Sequence, residues 1–329
     1  MAGLRIGVSF DGFAPYQDAV TFAREAVHAG ACSLWMADHL GYRESIVSSL
    51  GLALNTDVLV VPTAVSPYLR HPMPTAMQMA TLAEAAPGRV ALAIGIGNPL
   101  FLSEAGESPD KPVRVIREFV ESLRQLWSGE PVHQEALRFR LSGARMMFKP
   151  SQPIPIYLAP MKEQMLQLAG KIGDGVVLSA GLSVETVRQS LEHVRIGAEA
   201  AGRAPKSVAT AGYILFVASP DGRRAVELAR KKLAFLFRNK AMLDNLVESG
   251  IAIDHGEIIA AIGRRDYDAA AKLIPDEAVS TFAVAGTVQE CNDKLQKFAA
   301  AGIDNLVLFM IGELSDQRFG LEVIRSVSA

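Results

Sequence analysis

Eight short apolar runs, each followed by a stretch with helical spacing, restrict this chain more than any other feature of its sequence. They span residues 4–10, 33–36, 58–61, 89–95, 154–159, 176–179, 210–217 and 305–311. Runs this short and this rich in aliphatic residues read as strands covered on both faces, as in a parallel sheet under helices. The segments between them carry apolar residues three and four apart. Ala19, Phe22, Ala23, Ala26 and Val27 form one such face before Gly30, and Val115, Ile116, Phe119, Leu123 and Leu126 form another. Thr287, with Glu290 three residues on, matches a capping box at the start of the last of them. Eight such units count out as an α/β fold, a (β/α)8 TIM barrel with insertions. A doubly wound open sheet is the alternative, because closure is not written in periodicity. One domain over residues 1–329 is expected, with excursions at about 129–155 and 230–275. In the first, Glu135–Leu141 and Ala144–Phe148 alternate like a hairpin; the second has helical patterns and no clear strand.

The stretch from Leu59 to Asn98 is the most informative unit. Its strand is followed by Pro62, Pro67, Pro72 and Pro74, so residues 63–74 are neither an ordinary helix nor a central strand. Met79, Leu82, Ala83 and Ala86 then return at helical spacing, and a second strand ends in Gly95-Ile96-Gly97-Asn98. This is a βαβ unit whose first loop carries Tyr68, Arg70 and His71. Loops after parallel strands are where α/β proteins place chemistry.

The formal charge of -2 gives no electrostatic footing for nucleic acid or an anionic membrane. Cys32 and Cys291 lie far apart without ligand spacing and read as reduced thiols. No basic-then-apolar leader and no run long enough for a bilayer are visible, so a cytoplasmic protein is expected. No metal site, G-x-S-x-G elbow or cysteine nucleophile stands out.

Gly95-Ile96-Gly97 fails as a dinucleotide fingerprint, since the third glycine is missing and Pro99 follows. What remains is a close backbone approach, to a flat ring or in an ordinary turn. Asp38 and His39 sit at the end of the second strand, where the carboxylate can set the imidazole for proton transfer or merely cap a helix. Lys162 opens the helix after the fifth strand, a place with free backbone donors for an anion.

Several stretches carry a family resemblance. They are Ser33-Leu34-Trp35-Met36-Ala37-Asp38-His39, Ser66-Pro67-Tyr68-Leu69-Arg70-His71-Pro72 with Thr75-Ala76, and Gly88-Arg89-Val90-Ala91-Leu92-Ala93-Ile94-Gly95. Pro155-Ile156-Tyr157-Leu158-Ala159, Asp174-Gly175-Val176 and Ala285-Gly286-Thr287 continue it. With these the chain resembles the bacterial luciferase-like superfamily of flavin and deazaflavin oxidoreductases, and within it the methylenetetrahydromethanopterin reductases. The resemblance implies a TIM barrel with a ring cofactor at the C-terminal mouth, backed by a bulged third strand with a non-prolyl cis peptide within Thr63-Ala64-Val65-Ser66. It implies coenzyme F420 as cofactor, with FMN, or NAD(P)H without bound flavin, as alternatives, and a homodimer. It names His39, Asp38 and Asn98 as catalytic, and Ala64, Val65, Ser66, Gly95, Gly97, Asn98, Ala159, Pro160, Lys162 and Ser179 as cofactor contacts. The reaction implied is hydride transfer between the ring and a small organic or pterin-like substrate. An FMN-dependent monooxygenase, a flavin-free nicotinamide-dependent reductase and a non-catalytic subunit are the other readings. Three departures stand out: Asn98 where deazaflavin relatives carry an acid, Ser9 where they often carry a glutamate, and Pro160 in a usually glycine-rich loop.

Overall fold

The computed structural model describes residues 3–237, 242, 246–247 and 249–328. Residues 238–241, 243–245 and 248 of the second expected excursion lie outside the described residues. The first half runs β1 (Ile6–Phe10), α1 (Tyr16–His28), β2 (Ser33–Ala37), α2 (Ser45–Asn55), β3 (Leu59–Thr63), α3 (Pro72–Ala85), β4 (Leu92–Gly95), α4 (Pro99–Glu104) and α5 (Pro112–Ser128). Next come the hairpin β5 (Val132–Glu135) and β6 (Arg140–Ala144), then β7 (Ile156–Ala159), α6 (Glu163–Ile172), β8 (Gly175–Leu178) and α7 (Val184–Ala200). After them stand β9 (Ala209–Ala218), α8 (Gly222–Phe237), α9 (His255–Gly263), α10 (Tyr267–Lys272) and α11 (Asp276–Phe282). The chain ends with β10 (Val284–Gly286), α12 (Val288–Ala300), β11 (Asn305–Met310) and α13 (Leu314–Ser328).

Eight parallel strands follow one another as β3-β2-β1-β11-β9-β8-β7-β4. The ring is completed between its two ends by isolated bridges, Val60 with Val90 and Val65 with Ile94. Between those bridges β3 advances five residues and β4 only four, so β3 carries one extra residue, a bulge. The Thr63–Ala64 peptide within it is cis. The alternative of an open doubly wound sheet is thereby set aside.

Two layers of side chains explain this closure. Ile6, Val8, Leu34, Val60, Leu92, Ile94 and their neighbours face the helices in the main core. Residues of opposite parity, Trp35, Val61, Ala91, Ala93, Val177, Ala211 and Val307, fill the barrel itself. There the Trp35 ring meets Tyr157 and Tyr213 edge-on, with centroids 5.5 and 6.2 Å away. The interior is plugged below the mouth, so a cofactor can only rest on top.

The sequence expectations differ from the structure in three places. The first excursion is a hairpin, but its strands pair Val132–Glu135 with Arg140–Ala144, ahead of the expected stretches. The residues after Gly97, whose Gly, Ser, Glu and Pro content reads as a loop, include α4, because Pro99 occupies a first-turn position where its missing N–H costs nothing. A strand not foreseen, β10, extends β9 beyond the barrel rim. It anchors the helices of the second excursion, which pack around Leu215, Val217, Leu233, Phe237 and Phe282.

Candidate active site

The C-terminal mouth has a floor of three small residues. Gly95 on β4 faces inward, and a Cβ built there would lie 3.2 Å from the Ala64 Cβ and 3.3 Å from the Ala159 Cβ. The bulge brings Ala64 inward, so β3, β4 and β7 present a surface with almost no side chain. Such a cradle fits a planar ring, and any larger residue at Gly95 would fill it. Ala64, Gly95 and Ala159, three of the expected cofactor contacts, are therefore brought together. Ser179 follows β8, with its hydroxyl donating to the Ala180 carbonyl at 3.2 Å.

His39 follows β2 on the same rim, half-buried. Its ring lies 5.4 Å from Tyr42 and 5.6 Å from Phe101 on α4, and Tyr42 lies 4.3 Å from Phe13, all centroid to centroid. Burial holds its pKa below the usual 6.5; a hydrogen bond to the Asp11 backbone, with the charges of Asp11 and Asp38, opposes this, and Lys232 adds to it. A neutral imidazole at pH 7 can accept a proton. The charge of Asp11, which follows β1, thus opposes the effect of burial on His39. Its place in the loop after β1 could have flagged it, since every such loop opens on the mouth.

Asp38 is turned to another task. Its carboxylate takes a two-pronged bond from Arg70, at 2.7 and 3.1 Å, and a third from the Ser45 hydroxyl at 2.9 Å. Glu44 also binds Arg70 at 2.6 Å and caps α2 through the Val47 N–H. Asp38 is therefore a positioning group that ties the β2 loop to the proline loop, rather than a proton carrier. Its side chain and that of Arg70 are only 14% and 17% exposed. Arg70→Met should lower stability by about 2–3 kcal/mol, because two carboxylates lose their partner. Urea midpoints measure this, and Arg70→Lys should restore only part, lacking the fork.

The rest of the proline loop is structural as well. Tyr68 is buried, with its hydroxyl donating to the Asp110 carbonyl at 2.6 Å and Arg138 of the hairpin over its ring at 5.2 Å. Burial and Asp110 push its phenol up to about 12, against the pull of Arg138. His71 caps α3, its Nδ1 accepting from the Met73 N–H at 3.2 Å. Ser66, expected to touch cofactor, is 3% exposed; its hydroxyl donates to the Ile96 carbonyl at 2.6 Å and accepts from the Tyr68 N–H. Val65 is fully buried toward the helices, so only its backbone reaches the seam. Gly97 (φ +102°) lies over Ser66, where a Cβ would come within 3.2 Å of the hydroxyl.

Asn98 is exposed, and its side-chain oxygen caps α4 by accepting from the Leu100 N–H at 2.9 Å. That oxygen is spent on the helix that carries Phe101 to His39, leaving the amide N–H₂ as the donor for a ligand. Asn98→Ala should destabilise this turn by about 1 kcal/mol, whereas Asn98→Asp keeps the cap. Hydrogen exchange across residues 99–104 separates the two. Pro160 is buried and offers no N–H, so it forms no cofactor contact of that kind. Lys162 is exposed at the N-cap of α6. Among the described residues no cluster of three or more His, Cys, Asp or Glu could hold a metal ion, and no helix is long and apolar enough to cross a membrane.

The closed parallel barrel thus carries at its C-terminal mouth a nearly bare floor of Ala64, Gly95 and Ala159 and the half-buried His39. Residues 4–305 match the luciferase-like monooxygenase family, and the chain belongs to that family. It is 28% identical over 309 residues to a 5,10-methylenetetrahydromethanopterin reductase of Archaeoglobus fulgidus, which covers 92% of each protein. The fold superposes on the coenzyme F420-dependent tetrahydromethanopterin reductase of Methanopyrus kandleri with a TM-score of 0.90, covering 99% of this chain and 98% of the other at 24% identity. An F420-dependent secondary alcohol dehydrogenase, solved with an F420–acetone adduct, aligns with a TM-score of 0.82 at 25% identity, over 99% of this chain and 98% of the other.

Proposed function

We propose that this enzyme uses coenzyme F420 and transfers a hydride between its deazaflavin ring and the carbinol or carbonyl carbon of a small organic substrate. The observation that carries the reading is the floor of Ala64, Gly95 and Ala159 lying beside a histidine whose burial favours its neutral form. When bound, the deazaflavin supplies the two-electron acceptor or donor. His39 takes the hydroxyl proton as the C–H electron pair leaves the carbinol carbon, and the carbonyl product keeps the oxygen. In the reverse direction His39 returns that proton. Phe101 and Tyr42 pack against the imidazole, and Asp11 orients it.

We take an alcohol or ketone ahead of a methylene pterin because the family resemblance implies acids at the positions of Asn98 and Ser9, and neither of these side chains can protonate a pterin. The Ser9 hydroxyl is moreover turned to the Leu308 carbonyl at 3.2 Å. The reduction of a methylene pterin is the second reading, supported by the similarity over 92% of each chain to the Archaeoglobus reductase. Fluorescence titration with F420, FMN and NADPH tests the cofactor, with tight binding expected for F420 alone. Bleaching of F420 by secondary alcohols, but not by methylenetetrahydropterins, is the expected second result. Tight FMN binding without F420 binding would overturn the reading.

A further inference from the structure

Helix α8 overhangs the barrel mouth. The strand before it, β9, is ten residues long, and its residues Leu215 and Val217 continue the inward parity of Ala211 and Tyr213. They cluster with Leu233 and Phe237 of α8, so the helix packs on the face that prolongs the barrel interior. Three consecutive basic residues on α8 meet different surroundings. Arg230 is tied to Glu227 and Asp276, and Lys231 pairs with Asp268 at 2.8 Å on the exposed side. Lys232, half-buried, holds its ammonium over two rings, 4.9 Å from the centroid of Phe309 and 5.6 Å from that of Phe235.

Phe309 fixes where that charge stands. It shares parity with the inward Val307 near the end of β11, so it faces the mouth. In the closed order of eight strands β11 lies directly opposite β4, which bears Gly95. Only β1 separates β11 from β2, which His39 follows. The ends of β2 and β11 are thus about 10 Å apart. The floor, the imidazole and the ammonium therefore stand on three sides of one opening. Their charges also act on one another: Asp11 and Asp38 bring negative charge to His39, and Lys232 brings positive charge. An ammonium held over ring faces is partly dehydrated, which strengthens its attraction for an anion entering the mouth. With Asp11 on the same rim, one ammonium suits the single charge of a carboxylate better than a phosphate, which carries close to two.

We propose that Lys232 binds a carboxylate of the substrate, which makes the substrate a hydroxy acid, or the matching oxo acid, with its carboxylate several bonds from the reacting carbon. This rests on the function proposed above, because the reacting oxygen is placed at His39. Lys232 binds and orients, and no bond changes at it. In turnover with F420, kcat/KM for 5-hydroxyhexanoate should exceed that for its uncharged amide by roughly 10–100-fold, mainly through KM, as a charge-assisted hydrogen bond gives. Lys232→Met should bring this acid-to-amide ratio close to one, and Lys232→Arg should keep most of it. Lys231→Met, on the exposed side of the helix, should leave the ratio unchanged. A second measurement needs no cofactor. It uses the full chain with histidines carbon-13 labelled at Cε1, the His39 signal being assigned by its loss in His39→Asn. Hexanoate should shift that signal and hexanamide should not, and Lys232→Met should abolish the shift. A ratio near one in the unaltered enzyme, a ratio or shift that survives Lys232→Met, or no shift with hexanoate overturns the inference while leaving F420-dependent alcohol oxidation intact. A larger shift with inorganic phosphate than with hexanoate overturns the choice of a carboxylate. Shifts as expected, with no F420 reduction by any alcohol, overturn the function and with it the assignment of the carboxylate to a hydroxy acid.

Discussion

His39→Asn should lower turnover roughly 100-fold or more, while affinity for F420 changes by less than about 3-fold. Asparagine preserves size and polarity but cannot take up a proton at neutral pH. The half-buried imidazole sits among Tyr42 and Phe101, so the change leaves the packing nearly intact. A pH profile sharpens the test. As a base in alcohol oxidation His39 acts in its neutral form, so the rate should hold above its pKa and fall as pH drops through it. Because burial lowers that pKa, the falling limb lies on the acid side of 6.5. The limb should vanish in His39→Asn. Asp11→Asn should move it further toward acid, since the Asp11 charge raises the pKa. Stopped-flow measurement of F420 reduction gives all three profiles, and an unchanged rate and profile in His39→Asn would remove His39 from the chemistry.

Gly95→Val should abolish cofactor binding in practice, weakening it at least about 100-fold, with the fold retained. A Cβ at this position already lies 3.2 Å from Ala64 and 3.3 Å from Ala159, and the two valine methyls would stand where the ring must lie flat. Gly95→Ala should be milder, roughly tenfold, because its neighbours need yield only a few tenths of an ångström. Thermal melting by circular dichroism checks the fold, and fluorescence titration checks binding. If both variants bind F420 as the unaltered enzyme does, the ring does not rest on this floor.

Which residues meet at the mouth was only half visible in the sequence. His39 and Gly95 could be placed there, because each ends a recognisable apolar run and the C-terminal ends of barrel strands share one rim. Their neighbours could not. Asp38 and His39 are adjacent in sequence, yet side chains alternate along a strand, so Asp38 turns to Arg70 while His39 meets Asp11. His71 and Asn98 carry useful functional groups, but each sits one residue before a helix, and the unpaired N–H groups there claimed them. The Ser66 hydroxyl is buried beneath Gly97 and spent on the Ile96 carbonyl, a partner no local spacing announces.

The amino-acid sequence by itself determined the repeated strand–helix order and the stop signals between elements. Burial periodicity and backbone chemistry are local, and they survive any error of a few residues at a boundary. It also determined the capping box at Thr287 and Glu290, which depends only on a spacing of three. Only the tertiary structure decided that the sheet closes, since the seam rests on bridges between Val60 and Val90 and between Val65 and Ile94 around one extra residue. Only it decided the partner of each charged group, because those partners come from different loops. The Asp38–Arg70 pair spans 32 residues of chain, and the barrel brings such distant positions together at one rim.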